Sequence, residues 1–220
     1  MMEGFAEDIL NFAMIKSQTF RLSFAIFSLS DVMKYIKETF SMKAESKGIN
    51  LDFIFAENLS HPIPLENEIP SESELVRQAK AIDREMQNLT IVNRSALPKL
   101  NGDERRLKQV IMNLVKNALK FTTNGSISVA LAYQQEQQML IGYVRDSGVG
   151  IARHELSKLF TRFGKIHRTA EMNHEGIGLG LTIVKEIVKH CDGSIDVLST
   201  GVPGQGSTFR FSMKIKEADN

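Results

Sequence analysis

The sequence predicts an α+β domain, and three observations carry that expectation. Residues 103–121, DERRLKQVIMNLVKNALKF, place Leu107, Val110, Ile111, Leu114, Val115 and Ala118 at the three- and four-residue steps of a buried helical face. A second such period, Leu179, Ile183, Val184, Ile187, Val188 and Cys191, follows a glycine-rich loop. Between the two helices, residues 126–133 and 139–146 read as a pair of antiparallel strands.

The 220 residues suffice for one large domain, or one domain with appendages. Hydrophobic content of 42% and charged content of 24% are those of a globular protein. A net charge of +1 gives no basic field for nucleic acid or for a membrane surface. The single cysteine, Cys191, reads as a small buried hydrophobe and allows no disulfide within the chain, which suits a reducing compartment. There is no secretory signal, and no apolar run approaches the roughly 18 residues of a membrane span. The expectation is a cytoplasmic domain, compatible with the cytoplasmic part of a membrane receptor.

Residues 5–16, FAEDILNFAMIK, resemble the end of an amphipathic helix, with Phe5, Ile9, Phe12 and Lys16 on one stripe. So short a helix needs a partner surface. Ser30 and Asp31 offer caps for a helix over 29–47 that stops at Gly48. INLDFIFA, 49–56, alternates as a strand. Residues 60–95 break the rhythm with prolines and a polar, helix-prone run, and read as an insertion, partly helical and partly disordered. Asp103 and Glu104 favour the start of the long helix. Asn124-Gly125 is a turn, a short helix is expected near 153–160, Gly193 would stop the glycine helix, and strands near 194–199 and 207–215 close the chain.

Three segments offer chemistry, each with an ordinary reading beside it. Asn113 and Asn117 lie with Arg106 and Lys120 along a polar line of the long helix. They are either a solvated pair or an amide ligand for Mg²⁺ with Lys120 reaching phosphate. Asp146, before Gly148 and Gly150, is either a common strand-ending turn or a carboxylate aimed at a ligand. Gly176, Gly178 and Gly180 are either a surface loop or bare backbone for a phosphate at a helix N-terminus. The loop has neither Rossmann nor P-loop spacing.

In order, NLVKNALKFT (113–122), DSGVGI (146–151), LFTRFGK (159–165), GIGLGLTIVK (176–185) and GQGSTFRF (204–211) resemble the ATP-binding domain of sensor histidine kinases. That domain shares its fold with gyrase, heat-shock chaperones and the MutL repair proteins. The resemblance runs from about residue 29 to 216, apart from the insertion. It implies a two-layer α/β sandwich of the Bergerat type, with a mixed, mostly antiparallel sheet covered by helices on one face. It also implies ATP between the long helix and the glycine loop. Asp146 would accept from the adenine amino group and repel guanine. Asn117 would hold Mg²⁺, Lys120 would neutralise phosphate charge, Phe121 would border the adenine, and the three glycines would meet the phosphates. Gly148, Gly150, Ile151, Phe163, Leu179, Leu181 and Thr208 would complete the nucleotide contacts. Residues 161–175 would form a lid carrying Arg162, Lys165, His167 and Arg168. Relatives that hydrolyse ATP through water place a glutamate where Asn113 stands. An amide cannot take that proton, which favours transfer to another acceptor, with Asn113 and Lys120 as catalytic residues.

The same resemblance implies a phosphoacceptor histidine on the first helix of a dimerising hairpin. Residues 1–28 look like the remnant of that hairpin's second helix and a linker, 29–216 like the catalytic domain, and 217–220 like a tail. His154-Glu155 superficially fits the acceptor pattern but lies between two nucleotide motifs, as a surface residue would. The implied partners are ATP, an acceptor helix, a response-regulator receiver domain and, in a full-length protein, a second copy. The readings left beside this one are an ATP-switched interaction module without catalysis and a chaperone-like ATPase.

Overall fold

A five-stranded sheet in the order β2-β4-β5-β7-β6 is the centre of the molecule. Its strands are β2 (Ile49–Phe55), β4 (Gly125–Gln134), β5 (Met139–Asp146), β6 (Ile195–Leu198) and β7 (Ser207–Lys214). Strand β2 runs parallel to β4, and every other pairing is antiparallel. The computed structural model describes residues 9–10, 13–14, 17, 19–62, 70–93, 97–161 and 178–218. The expected lid with Phe163, and Gly176, lie outside them, as does most of the expected helix over 5–16. Of that helix Ile9, Leu10, Ala13 and Met14 are described and helical.

Three helices pack on one face of the sheet: α1 (Leu29–Ser46), α3 (Glu104–Phe121) and α5 (Gly180–His190). The apolar stripe of α3 is wholly buried, as its period requires, with Leu107, Val110, Ile111, Leu114 and Val115 inaccessible. Asp103 caps α3 by accepting the Arg106 N–H at 3.0 Å. Helix α1 begins one turn position earlier than its polar residues foretell: Ser28 is the cap, and Ser30 and Asp31 lie in the first turn. Gly48 follows it at φ +66°, the left-handed position where glycine costs nothing. The stop of α5 differs from the expectation. Asp192, not Gly193, takes the positive φ, of 48°. Gly193 is required for another reason: a side chain there would run into the Ser212 backbone.

The outer face of the sheet is not open. Helix α2 (Glu72–Gln87), from the expected insertion, lies across it and buries Leu75 and Ile82. Its cap Ser71 accepts the Glu74 N–H. The chain returns along the sheet edge, where the Val92 N–H donates to the Phe55 carbonyl at 2.9 Å. The run is polar, as the sequence reads, and of its apolar residues Leu75 and Ile82 are the fully buried ones. Under α2, Arg210 and Asp196 form a buried ion pair through the Arg210 Nε donor at 2.7 Å and a second guanidinium contact.

A second sheet of three short strands, β1 (Ala25–Ser28), β3 (Lys99–Gly102) and β8 (Lys216–Glu217), joins both ends of the domain. Ahead of β1, the Ser23 N–H donates to Asp103 Oδ2 at 2.8 Å. The buried Phe20 ring lies 4.5 Å from the Arg106 guanidinium carbon and 4.7 Å from the His190 ring. This strap therefore ties the first turn of α3 to the last turn of α5. A short helix α4 (Arg153–Leu156) follows β5, and His154 is exposed on it.

Because Ile82 is 4% exposed on a helix with one other buried anchor, Ile82→Ala should lower stability by about 2–5 kcal/mol. Thermal unfolding of parent and variant checks this, and an unchanged melting temperature would mean that α2 does not pack on the sheet.

Candidate functional site

Strand β5 ends at Asp146, and period-two alternation turns its carboxylate toward the helices, into a cleft. Asn117 and Phe121, one turn apart on α3, line one wall; Val149, Gly150 and Ile151 line a second; Leu159, Leu181, Ser207 and Phe209 complete it. The sequence-derived residues Asn117, Phe121, Asp146, Gly150, Ile151 and Leu181 are thus brought together. The cleft adds Val149, Leu159, Ser207 and Phe209, which lie within the quoted motifs without being singled out there.

Backbone geometry around Asp146 is tight. The Gly148 N–H donates to Asp146 Oδ1 at 2.8 Å. A Cβ on Gly148 would fall against the Phe121 carbonyl and 2.8 Å from Asp146 Oδ1, so the turn needs a glycine there. Gly206, at φ +65°, touches the Asp146 backbone just as closely. Ser199 ties the two loops together: its hydroxyl accepts the Ile151 N–H at 2.9 Å and donates to the Gly206 carbonyl at 2.8 Å.

Burial pushes the Asp146 carboxyl up to about 6, against the opposing pull of the Gly148 and Ser207 N–H groups and of the Arg145 charge. A carboxylate so placed is expensive to keep ionised unless something donates to it.

The phosphate end of the expected site is built from α3 and α5. Asn113 lies one turn before Asn117, and its amide carbon is 3.8 Å from where a Cβ on Gly180 would be. Asn113 Nδ2 is buried and has no hydrogen-bond partner among the described residues. Helix α5 opens there: its cap, Leu179, supplies no side-chain acceptor, and its first turn has no acidic residue. A helix N-terminus and an amide donor without a partner among the described residues together suit an anion. Leu179 itself is 3% exposed and serves the core, and Gly178 takes φ +79°. Lys120 Nζ lies 5.2 Å from the centroid of the Phe121 ring, which lines the cleft. Arg106, on the same polar line in sequence, is buried against Phe20 instead.

Thr208 is corrected by the structure. It pairs in register with Arg145, and both side chains face the outer layer, away from the cleft. Ser207, which pairs with Asp146, takes the expected place. Alternation in STFRF carries the signal: Phe209 and Phe211 belong to the helix face, so Ser207 belongs with them. For Mg²⁺, no cluster of three or more His, Cys, Asp or Glu side chains exists among the described residues. The Asn117 amide in the cleft is the kind of neutral oxygen donor that serves where phosphates and water supply the remaining ligands. No described helix is long and apolar enough to cross a membrane.

Residues 102–217 match the family described as histidine kinase-, DNA gyrase B-, and HSP90-like ATPase. The autoinducer 2 sensor kinase/phosphatase LuxQ of Vibrio parahaemolyticus is 28% identical over 216 residues, 96% of this chain and 21% of its own length. The sensor histidine kinase RcsC of Escherichia coli is 44% identical over 110 residues, 50% of this chain and 11% of its own. The chain thus spans about a fifth or less of these relatives. Among solved structures, full-length ShkA in complex with AMPPNP superimposes with a TM-score of 0.69 at 24% identity, covering 99% of this chain and 36% of that one. That likeness shows the shared fold.

The raised Asp146 pKa makes a stability prediction with a definite sign. The native state holds this proton between the ordinary value of 3.8 and about 6. The group's favourable contribution is therefore complete below 3.8 and lost as pH rises through about 6. At about pH 7.5 the buried charge opposes folding by at most about 3 kcal/mol. Asp146→Asn should raise the melting temperature of the ligand-free domain at about pH 7.5 and leave it unchanged near pH 4.

Proposed function

The chain belongs to the histidine kinase-, DNA gyrase B-, and HSP90-like ATPase family, and from that premise we propose that it is the ATP-binding catalytic domain of a sensor histidine kinase. In this reading it transfers the γ-phosphoryl group of Mg-ATP to a histidine in another segment or chain. One observation carries it: a buried carboxylate, Asp146, on the floor of a cleft otherwise lined largely by apolar side chains, 2.8 Å from the Gly148 N–H. Adenine offers an amino donor to such a group and guanine an oxygen acceptor.

Asp146 selects adenine, and Ser207, Gly148 and Gly206 hold it in place. Phe121, Ile151 and Phe209 cover the base, with Phe163 assigned to the lid side. The α5 N-terminus, with Gly176, Gly178 and Gly180, receives the phosphates, and the Asn113 amide donates to a phosphate oxygen. Lys120 neutralises negative charge beside Phe121. Mg²⁺ would be held by Asn117 and would offset phosphate charge during transfer. The amide at position 113 cannot take a proton from water. That chemistry favours a histidine acceptor over hydrolysis.

The proposed organisation assigns residues 1–28 to a helix remnant and linker and 29–216 to the catalytic domain. The proposed partners are an acceptor helix, a second copy and a receiver domain, in a cytoplasmic phosphorelay.

Calorimetry should give binding of Mg-ATP and Mg-ADP and none of GTP. Asp146→Ala should cost about 1.5–3 kcal/mol of ATP binding. Comparable GTP affinity, or an Asp146→Ala variant that binds like the parent, overturns the adenine assignment. With γ-labelled ATP the chain alone should form no acid-labile label and release phosphate slowly, and a dimeric hairpin fragment carrying a histidine should become labelled in trans. Fast phosphate release without acceptor would favour an ATPase instead.

A further inference from the structure

The last residues of β5 and the first of β7 have two faces, and different elements touch them. Asp146 and Ser207 point into the cleft. Their neighbours Arg145 and Thr208, paired in register, point to the outer layer. There the Arg145 guanidinium is ion-paired with Asp83 of α2.

The same segment grips the site at two more places. Two residues before Arg145, the buried Tyr143 hydroxyl donates to the Ser60 carbonyl at 2.7 Å and lies 3.3 Å from Glu85 Oε2. The Ser60 N–H donates to Glu85 Oε1 at 2.6 Å, which closes this small network around α2. Beyond the glycine turn, Arg153 Nε donates to the carbonyl of Pro70, just ahead of α2, at 2.7 Å. The gripped residues 143, 145 and 153 therefore bracket Asp146, Gly148, Gly150 and Ile151. None of the residues that line the cleft comes from α2.

We propose that α2 is a brace for the nucleotide cleft, with Arg145 as the positioning residue. Docking of α2 through Asp83 holds Asp146 and the glycine turn in the arrangement that binds a nucleoside triphosphate. The proposal rests on the reading of the cleft as an ATP site. Helix α2 buries only Leu75 and Ile82 fully, so it belongs to the part of the domain that opens most readily. Docking and nucleotide binding then share one coupling free energy, and each must strengthen the other by the same factor.

The test is deuterium exchange of residues 72–87 in the parent chain, without nucleotide and with saturating Mg-AMPPNP. The expected result is exchange slowed about fivefold or more by the nucleotide, in a helix that does not touch it. Asp83→Asn should weaken Mg-AMPPNP about fivefold and abolish that protection, with Asp83→Glu restoring both. The direction is diagnostic. Removing the Asp83 charge would on electrostatic grounds alone favour ionised Asp146, so weaker binding reports lost positioning. Calorimetry of the parent separates the two claims. A parent that binds no Mg-AMPPNP overturns the function proposed above. A parent that binds it with identical α2 exchange in both states, or a folded Asp83→Asn with parental affinity, overturns the brace alone.

Discussion

Holding a carboxylate inside a largely apolar cleft is the constraint around which this domain is arranged. Asp146 lies at the end of a central strand and is 6% exposed. Its position explains why glycine occupies 148 and 206, since any side chain at either would strike Asp146 or the backbone beside it. It explains the hydroxyl of Ser199 as well, which binds the loop after Asp146 to the loop before Ser207. These features fix backbone rather than contribute surface. In the proposed reading, a group that is costly in the empty domain and useful only with a donor opposite it trades stability for recognition.

The outer layer solves a different problem. A sheet that buries Arg210 and Asp196 on one face must hold them paired and hydrogen-bonded, because an uncompensated buried charge is costly. Helix α2 covers this face. It adds Glu85 opposite the Tyr143 hydroxyl and Asp83 opposite Arg145, so the polar groups of the back face have partners in the helix that covers them. Desolvation and the Glu85 charge push the Tyr143 phenol well above its ordinary range, so it remains a donor throughout the working pH range. Such a network specifies one docking register for a helix with little apolar surface of its own.

The central elements were legible in the sequence because their apolar periods are long. Helices α3 and α5 and the hairpin of β4 and β5 match the expected spans to within a residue or two. Of the cleft, the residues with unusual chemistry for their position stood out: amides at one-turn spacing, a carboxylate before paired glycines. Ordinary residues such as Val149, Leu159 and Phe209 did not, since only the folded chain says which core side chains border a cavity. Thr208 was misplaced by one residue, the smallest error a strand permits and one that reverses the face. Helix α2 read only as the helical part of an insertion because its buried anchors are few and far apart. The strands β1, β3 and β8 are too short to carry a period at all.

Phe20 gives the architecture a mechanical consequence. Helices α3 and α5 lie antiparallel, with Asn113, midway along α3, beside Gly180 at the start of α5, and with Phe20 between Arg106 and His190 at the other end of the pair. From Arg106 to Asn113 the helix rises about 10 Å. A displacement of Phe20 therefore reaches the Asn113 amide and the Gly180 backbone through two helices rather than through loops.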